Sequence, residues 1–117
     1  MRLRHFTPCR SIGAYQISRS DAHRALLINE ELITFTPTEY RLLCILLTHE
    51  NVEDSRLLMA IFSKPSKDRC TRKTLERHID NIKSKLRPTG LSLRRIYRFG
   101  YALVVAEEDP ERAAEGM

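Results

Sequence analysis

Between Thr71 and Arg87, the apolar residues Leu75, Ile79, Ile82 and Leu86 recur at steps of four, three and four. Side chains so spaced form one narrow stripe along an α-helix. The helix predicted here starts near Thr71. It ends near Leu86 or Arg87, because Pro88 and Gly90 cannot continue it. Its other side carries Lys73, Thr74, Arg77, Asn81, Ser84 and Lys85. Such a helix must seat one edge on a core and present a polar, basic face. The rest of the chain has to supply that core.

Two further helices are expected. Thr36-Pro37-Thr38-Glu39 is a capping-box sequence. The Thr36 hydroxyl can accept a helix N–H, Glu39 can reach back to the Thr36 amide, and Pro37 needs no hydrogen bond at the first helical position. Tyr40, Leu43, Leu46 and Leu47 follow at helical spacing, so a helix is predicted over 36–49. A shorter helix, from about Asp54 to Phe62, has Leu57, Leu58, Ile61 and Phe62 as its apolar residues. Lys64–Asp68 reads as a loop, since Pro65 disfavours helix before it.

Short strands flank the helices. Ile12–Ile17, His23–Ile28 and Leu32–Phe35 are β-branched or aromatic-containing runs, separated by the polar turn Ser18–Asp21 and by Asn29-Glu30. The short connections imply antiparallel hairpins. Leu91–Ile96 and Tyr101–Val105 form a last hairpin about the turn Tyr97-Arg98-Phe99-Gly100. The expected fold class is α+β: a small N-terminal antiparallel sheet, three helices and a C-terminal hairpin. With 117 residues, no internal repeat and no low-complexity linker, one domain is expected at 12–105. A basic arm at 1–11 would precede it and an acidic tail at 106–117 would follow.

Charge narrows the partners. Arg69–Arg98 holds ten Lys or Arg against Glu76 and Asp80, a net of +8, whereas Glu107–Met117 holds five acids against Arg112, a net of −4. No run approaches the ~20 apolar residues a membrane helix needs. The basic N-terminus leads into no apolar stretch, so no secretory signal is read and a cytoplasmic protein is expected. Cys9, Cys44 and Cys70 are odd in number and widely spaced, which suggests neither a disulfide framework nor a zinc ribbon. Reduced thiols are expected, with Cys44 as a small core residue and all three dispensable for binding.

Strands, three helices and a terminal hairpin are the parts of a winged helix-turn-helix. Its third helix would enter the major groove of double-stranded DNA, where base edges carry a distinct donor and acceptor code. Lys and Arg neutralise phosphates, and Arg, Asn and Thr can read base edges. The hairpin would be the wing, with Arg98 at its tip. The residues expected at DNA are Arg72, Lys73, Thr74, Arg77, His78, Asn81, Lys85, Arg95, Tyr97 and Arg98. Arg94 and Arg95 alternate in facing, so at most one of them should face DNA well.

The chain resembles the DNA-binding (effector) domain of OmpR/PhoB-type response regulators. Phe35-Thr36-Pro37-Thr38-Glu39-Tyr40-Arg41-Leu42-Leu43 matches that family's L-T-P-T-E-[FY]-x-L-L. Lys73–Leu86 matches R-T-V-D-V-H-I-x-x-L-R-x-K-L in register, including His78-Ile79 and Lys85-Leu86. Gly100-Tyr101-Ala102-Leu103 keeps the Gly-Tyr-x-Leu of the wing. The resemblance spans about residues 12–105 and implies a transcriptional regulator that pairs head to tail on direct repeats, a homodimer on DNA. It also implies that the loop Ser63–Cys70 is where RNA polymerase is touched. Tyr97-Arg98 replaces the family's Arg-Gly, Asn81 stands where arginine is frequent, and the Ser-Arg-Glu-Glu start of the second helix is missing. No receiver domain precedes the motifs, so control without a phospho-receiver of its own is expected.

Blander readings stand beside these. His78 can be a half-buried, satisfied residue, and Arg77 and Asn81 can be a solvated face. Winged helices also serve as adaptors for RNA polymerase or another regulator, which is the alternative function. An adaptor would not need Lys73, Arg77, Lys85 and Arg98 to converge. A non-specific architectural binder is the third reading, against which Thr74 and Asn81 argue. No catalytic carboxylate pair, metal-ligand spacing, phosphate loop or nucleophile elbow is present, so neither an enzyme nor a cofactor is expected.

Overall fold

A computed structural model describes residues 6–62 and 69–106. Strands β1 (Thr7–Ile12), β2 (Tyr15–Ser20), β3 (Ala25–Ile28) and β4 (Glu31–Thr34) form an antiparallel sheet in that order. Helix α1 (Pro37–Thr48), strand β5 (Val52–Glu53) and helix α2 (Asp54–Ile61) follow, then helix α3 (Arg69–Leu86). A 3-10 turn, Arg87–Thr89, leads to β6 (Leu91–Ile96) and β7 (Gly100–Val105). These last two strands pair with β5 in the order β5-β7-β6. The architecture is α+β: a four-stranded sheet, three helices and a winged three-stranded sheet.

Three expectations at the N-terminal end need correction. The first strand expected at Ile12–Ile17 is broken in two, because Gly13 takes φ +57 and turns the chain between Ile12 and Tyr15. Residues 7–11, read as part of an arm, are therefore strand β1, paired with β2 from Thr7↔Arg19 to Ile12↔Tyr15. Pro8 and a register shift near it are tolerated because β1 is an edge strand. The strand expected from His23 begins at Ala25, since residues 21–24 form a turn in which Arg24 has φ 48. Residues 1–5 of the expected arm and 107–117 of the expected tail lie outside the described residues.

The capping box at α1 forms as its sequence dictates. Glu39 donates its amide to Thr36 Oγ1 at 3.2 Å, and the Thr36 amide donates to Glu39 Oε1 at 3.1 Å. The other end of α1 has no basic residue in its last turn. Arg10 of β1 fills that role. Its Nη1 donates to the carbonyls of Leu46 (3.0 Å), His49 (3.3 Å) and Leu47 (3.5 Å), which would otherwise lack helical partners.

Both sheets and all three helices close on one apolar core. Ile17, Leu26 and Ile28 enter from the first sheet, Leu42, Leu43 and Leu46 from α1, Leu57 from α2, and Leu91 and Leu93 from the wing. The stripe Leu75, Ile79, Ile82 and Leu86 is buried throughout, as its spacing predicted. Each such side chain contributes about 1.5–3 kcal/mol on burial, so the stripe fixes how α3 is rotated. Tyr40 is also buried and donates its hydroxyl to Asp21 at 2.5 Å, and burial raises its pKa. Cys9 and Cys44 are half-buried against the core, and burial raises both thiols above their ordinary value. At neutral pH they stay protonated and are poor nucleophiles.

The short strand β5 was not foreseen. It exists because Gly100 lets β7 approach it: a Cβ on Gly100 would lie 1.7 Å from the Val52 carbonyl oxygen.

Candidate nucleic-acid interface

With its apolar stripe seated, α3 turns Arg77 directly away from the core. Lys73 and Asn81 stand one turn to either side of it, and all three are exposed. Among the described residues, no hydrogen bond or ion pair is recorded for these three side chains. Ser84 extends the line and is exposed, while Thr74 is half-buried beside it. Arg72 is exposed on the flank toward the wing, near exposed Glu76. The outward line is thus cationic and amide-bearing, with Glu76 and Asp80 to one side.

Lys85 leaves that line. Its ammonium lies 2.5 Å from Glu39 Oε1 and 5.7 Å from the centre of the Phe35 ring. The Glu39 side chain is only 3% exposed. Burial alone would raise the Glu39 carboxyl, but Lys85 and the Thr36 amide and hydroxyl outweigh it and hold the carboxyl below its ordinary value. One carboxylate therefore caps α1 and ties it to the last turn of α3.

His78 is half-buried on the same flank. Its Nδ1 is enclosed and has no hydrogen-bond partner. Contact between His78 and a ligand in this conformation would go through Nε2.

The wing is held at its root. Arg95 Nη1 donates to Asp54 Oδ1 at 2.7 Å and to the Gly100 carbonyl at 3.3 Å, and the guanidinium lies 5.0 Å from the centre of the Tyr101 ring. The bond to Asp54 raises the Arg95 pKa further. Asp54 also donates its amide to the Phe99 carbonyl at 2.9 Å. Asp54, Arg95 and Tyr101 line a small cleft with Arg72, Leu75 and Glu76 of α3. Arg95 thus joins the wing to the start of α2, and the exposed member of the arginine pair is Arg94. Of this pair the sequence reading placed Arg95 at DNA; the strand instead turns Arg95 to Asp54 and leaves Arg94 outward.

At the wing tip, the Phe99 amide donates to the Ile96 carbonyl at 3.0 Å. Arg98 sits in the left-handed region at φ 54, with its guanidinium 5.1 Å from the centre of the Tyr97 ring. The structure therefore brings Lys73, Arg77 and Asn81 into one line and sets Tyr97 and Arg98 on the wing. It turns Lys85 and Arg95 toward internal carboxylates. Ser63–Asp68 of the loop between α2 and α3 lie outside the described residues.

Among the described residues, no group of three or more His, Cys, Asp or Glu could hold a metal ion, and no helix is long and apolar enough to cross a membrane.

No family model and no curated protein matches the chain. Among solved structures it is similar to the crystal structure of the response regulator AdeR DNA binding domain in complex with an intercistronic region. The match has a TM-score of 0.61 at 21% identity and covers 75% of this chain and 92% of that one. At this identity the likeness is one of fold, and it agrees with the three sequence motifs: the chain is a winged helix-turn-helix that resembles a response-regulator DNA-binding domain.

Proposed function

We propose that this protein is a sequence-specific, double-stranded-DNA-binding transcriptional regulator of the OmpR/PhoB type. The observation that carries this is the outward line Lys73, Arg77 and Asn81 on α3. It is exposed and has no partner among the described residues, while Lys85 and Arg95 are engaged by Glu39 and Asp54. A helix about 27 Å long with such a face suits a major groove about 12 Å wide.

Arg77 and Asn81, with Thr74 beside them, read base edges; Lys73 and Arg72 neutralise phosphates. His78 adds a contact through Nε2. Arg98 and Tyr97 bring the wing onto the neighbouring minor groove. Lys85 and Arg95 act at one remove, by holding α3 and the wing at fixed angles. Two copies bind head to tail on a direct repeat, and RNA polymerase is met through the segment 63–70. The solved relative, whose DNA-binding domain is held in complex with an intercistronic region, supports the choice of double-stranded DNA.

The test is selection of bound fragments from the source genome. The expected result is a direct repeat with half-sites about 10–11 bp apart. No enrichment of any fragment contradicts the reading and favours the adaptor.

A further inference from the structure

The most exposed large apolar side chain described is at the wing tip: Tyr97 is 80% exposed, and Phe99, two residues on, is 39% exposed. Arg98 between them holds φ 54, a conformation that strains a non-glycine residue. The turn is nevertheless fixed. Phe99 N bonds Ile96 O, Asp54 N bonds Phe99 O, and Arg95 clamps Asp54. The hairpin 91–105 contains no acidic residue. Asp54, the carboxylate at its root, is taken up by Arg95. The wing is thus a braced, cationic lever that holds an aromatic ring out in water, with a guanidinium layered on one face of the ring.

A cation at such a tip is drawn to a narrow minor groove, where the negative potential is greatest. An apolar side chain delivered there can enter between base pairs and kink the duplex. Pyrimidine–purine steps unstack most easily. We propose that Tyr97 is a wedge: the wing enters the minor groove beside the α3 site, and the Tyr97 ring opens one pyrimidine–purine step and bends the DNA. This rests on the DNA-binding reading above and adds a deformation to it. Sequence preference would then extend to a step that no hydrogen bond reads. Arg98 delivers the ring and turns to a backbone phosphate as the ring enters the step, while Phe99 fills the groove behind.

The test uses the full chain and a duplex that it selects from a random pool. 2-Aminopurine replaces adenine at each TA or CA step in turn, and its fluorescence reports unstacking. The expected result is a severalfold rise at one step on binding. Tyr97→Phe keeps that rise. Tyr97→Ala, with an unchanged circular dichroism spectrum, abolishes it and weakens binding roughly five- to hundredfold, the range for loss of one base–aromatic stack. Binding with no rise at any step overturns the wedge and leaves the DNA-binding reading intact. An equal rise with Tyr97→Ala overturns it in the same way. If the pool yields no bound duplex, both fall.

Discussion

The Lys85 ammonium meets the buried Glu39 carboxylate at 2.5 Å, joining the last turn of α3 to the first turn of α1 across 46 residues of sequence. Lys85→Met leaves that carboxylate without its counter-charge. The expected loss of stability is about 1–3 kcal/mol, because Lys85 is 36% exposed and solvent screens part of the pair. The Glu39 carboxyl titrates lower in the folded state than unfolded. Its contribution to stability is therefore complete above the unfolded carboxyl value of about 4.3, and is lost as pH falls through the lower folded value. Urea unfolding at stepped pH checks both points: Glu39→Gln should lose this part of the acid limb.

Arg10 belongs to the fold rather than to a basic arm outside it. Arg10→Ala removes the donor for the carbonyls of Leu46, Leu47 and His49 and should cost about 1–2 kcal/mol in urea unfolding. Affinity for DNA, measured where the variant is fully folded, should stay close to that of the parent.

Arg98 should display a conflict between stability and binding. Glycine adopts φ 54 without strain, so Arg98→Gly should raise stability by about 0.5–1 kcal/mol after its own entropy cost is counted. The same variant should bind every duplex more weakly and lower the salt slope by about one phosphate contact. Thermal unfolding and salt titration of one preparation test the two halves together.

Arg77 should act on preference rather than on affinity in general. If it contacts a base, Arg77→Ala should cost about 1–3 kcal/mol on the selected site and much less on random duplex. Competition between the two duplexes measures the difference, and equal losses on both would refute the assignment.

The parts legible in the sequence are those whose cause is local. The capping box needs residues three apart, and the stripe Leu75, Ile79, Ile82 and Leu86 needs only helical geometry, so both could be read directly. The face opposite that stripe follows from the same geometry, which is why Lys73, Arg77 and Asn81 could be grouped in advance. What escaped depends on distant partners. Arg10 caps a helix 36 or more residues away, Arg95 pairs with Asp54 41 residues back, and Lys85 finds Glu39. Each looked like one more surface cation. Strand β5 is only Val52–Glu53 and depends on the missing side chain of Gly100, a relation no local pattern carries.

The most direct measurement is a salt titration of binding to the best selected site and to a scrambled duplex of the same composition. If α3 reads base edges, the selected site should be bound at least about a thousandfold more tightly at physiological salt, with a steep slope on both duplexes. Equal affinity and equal slope on the two would contradict sequence-specific recognition by α3.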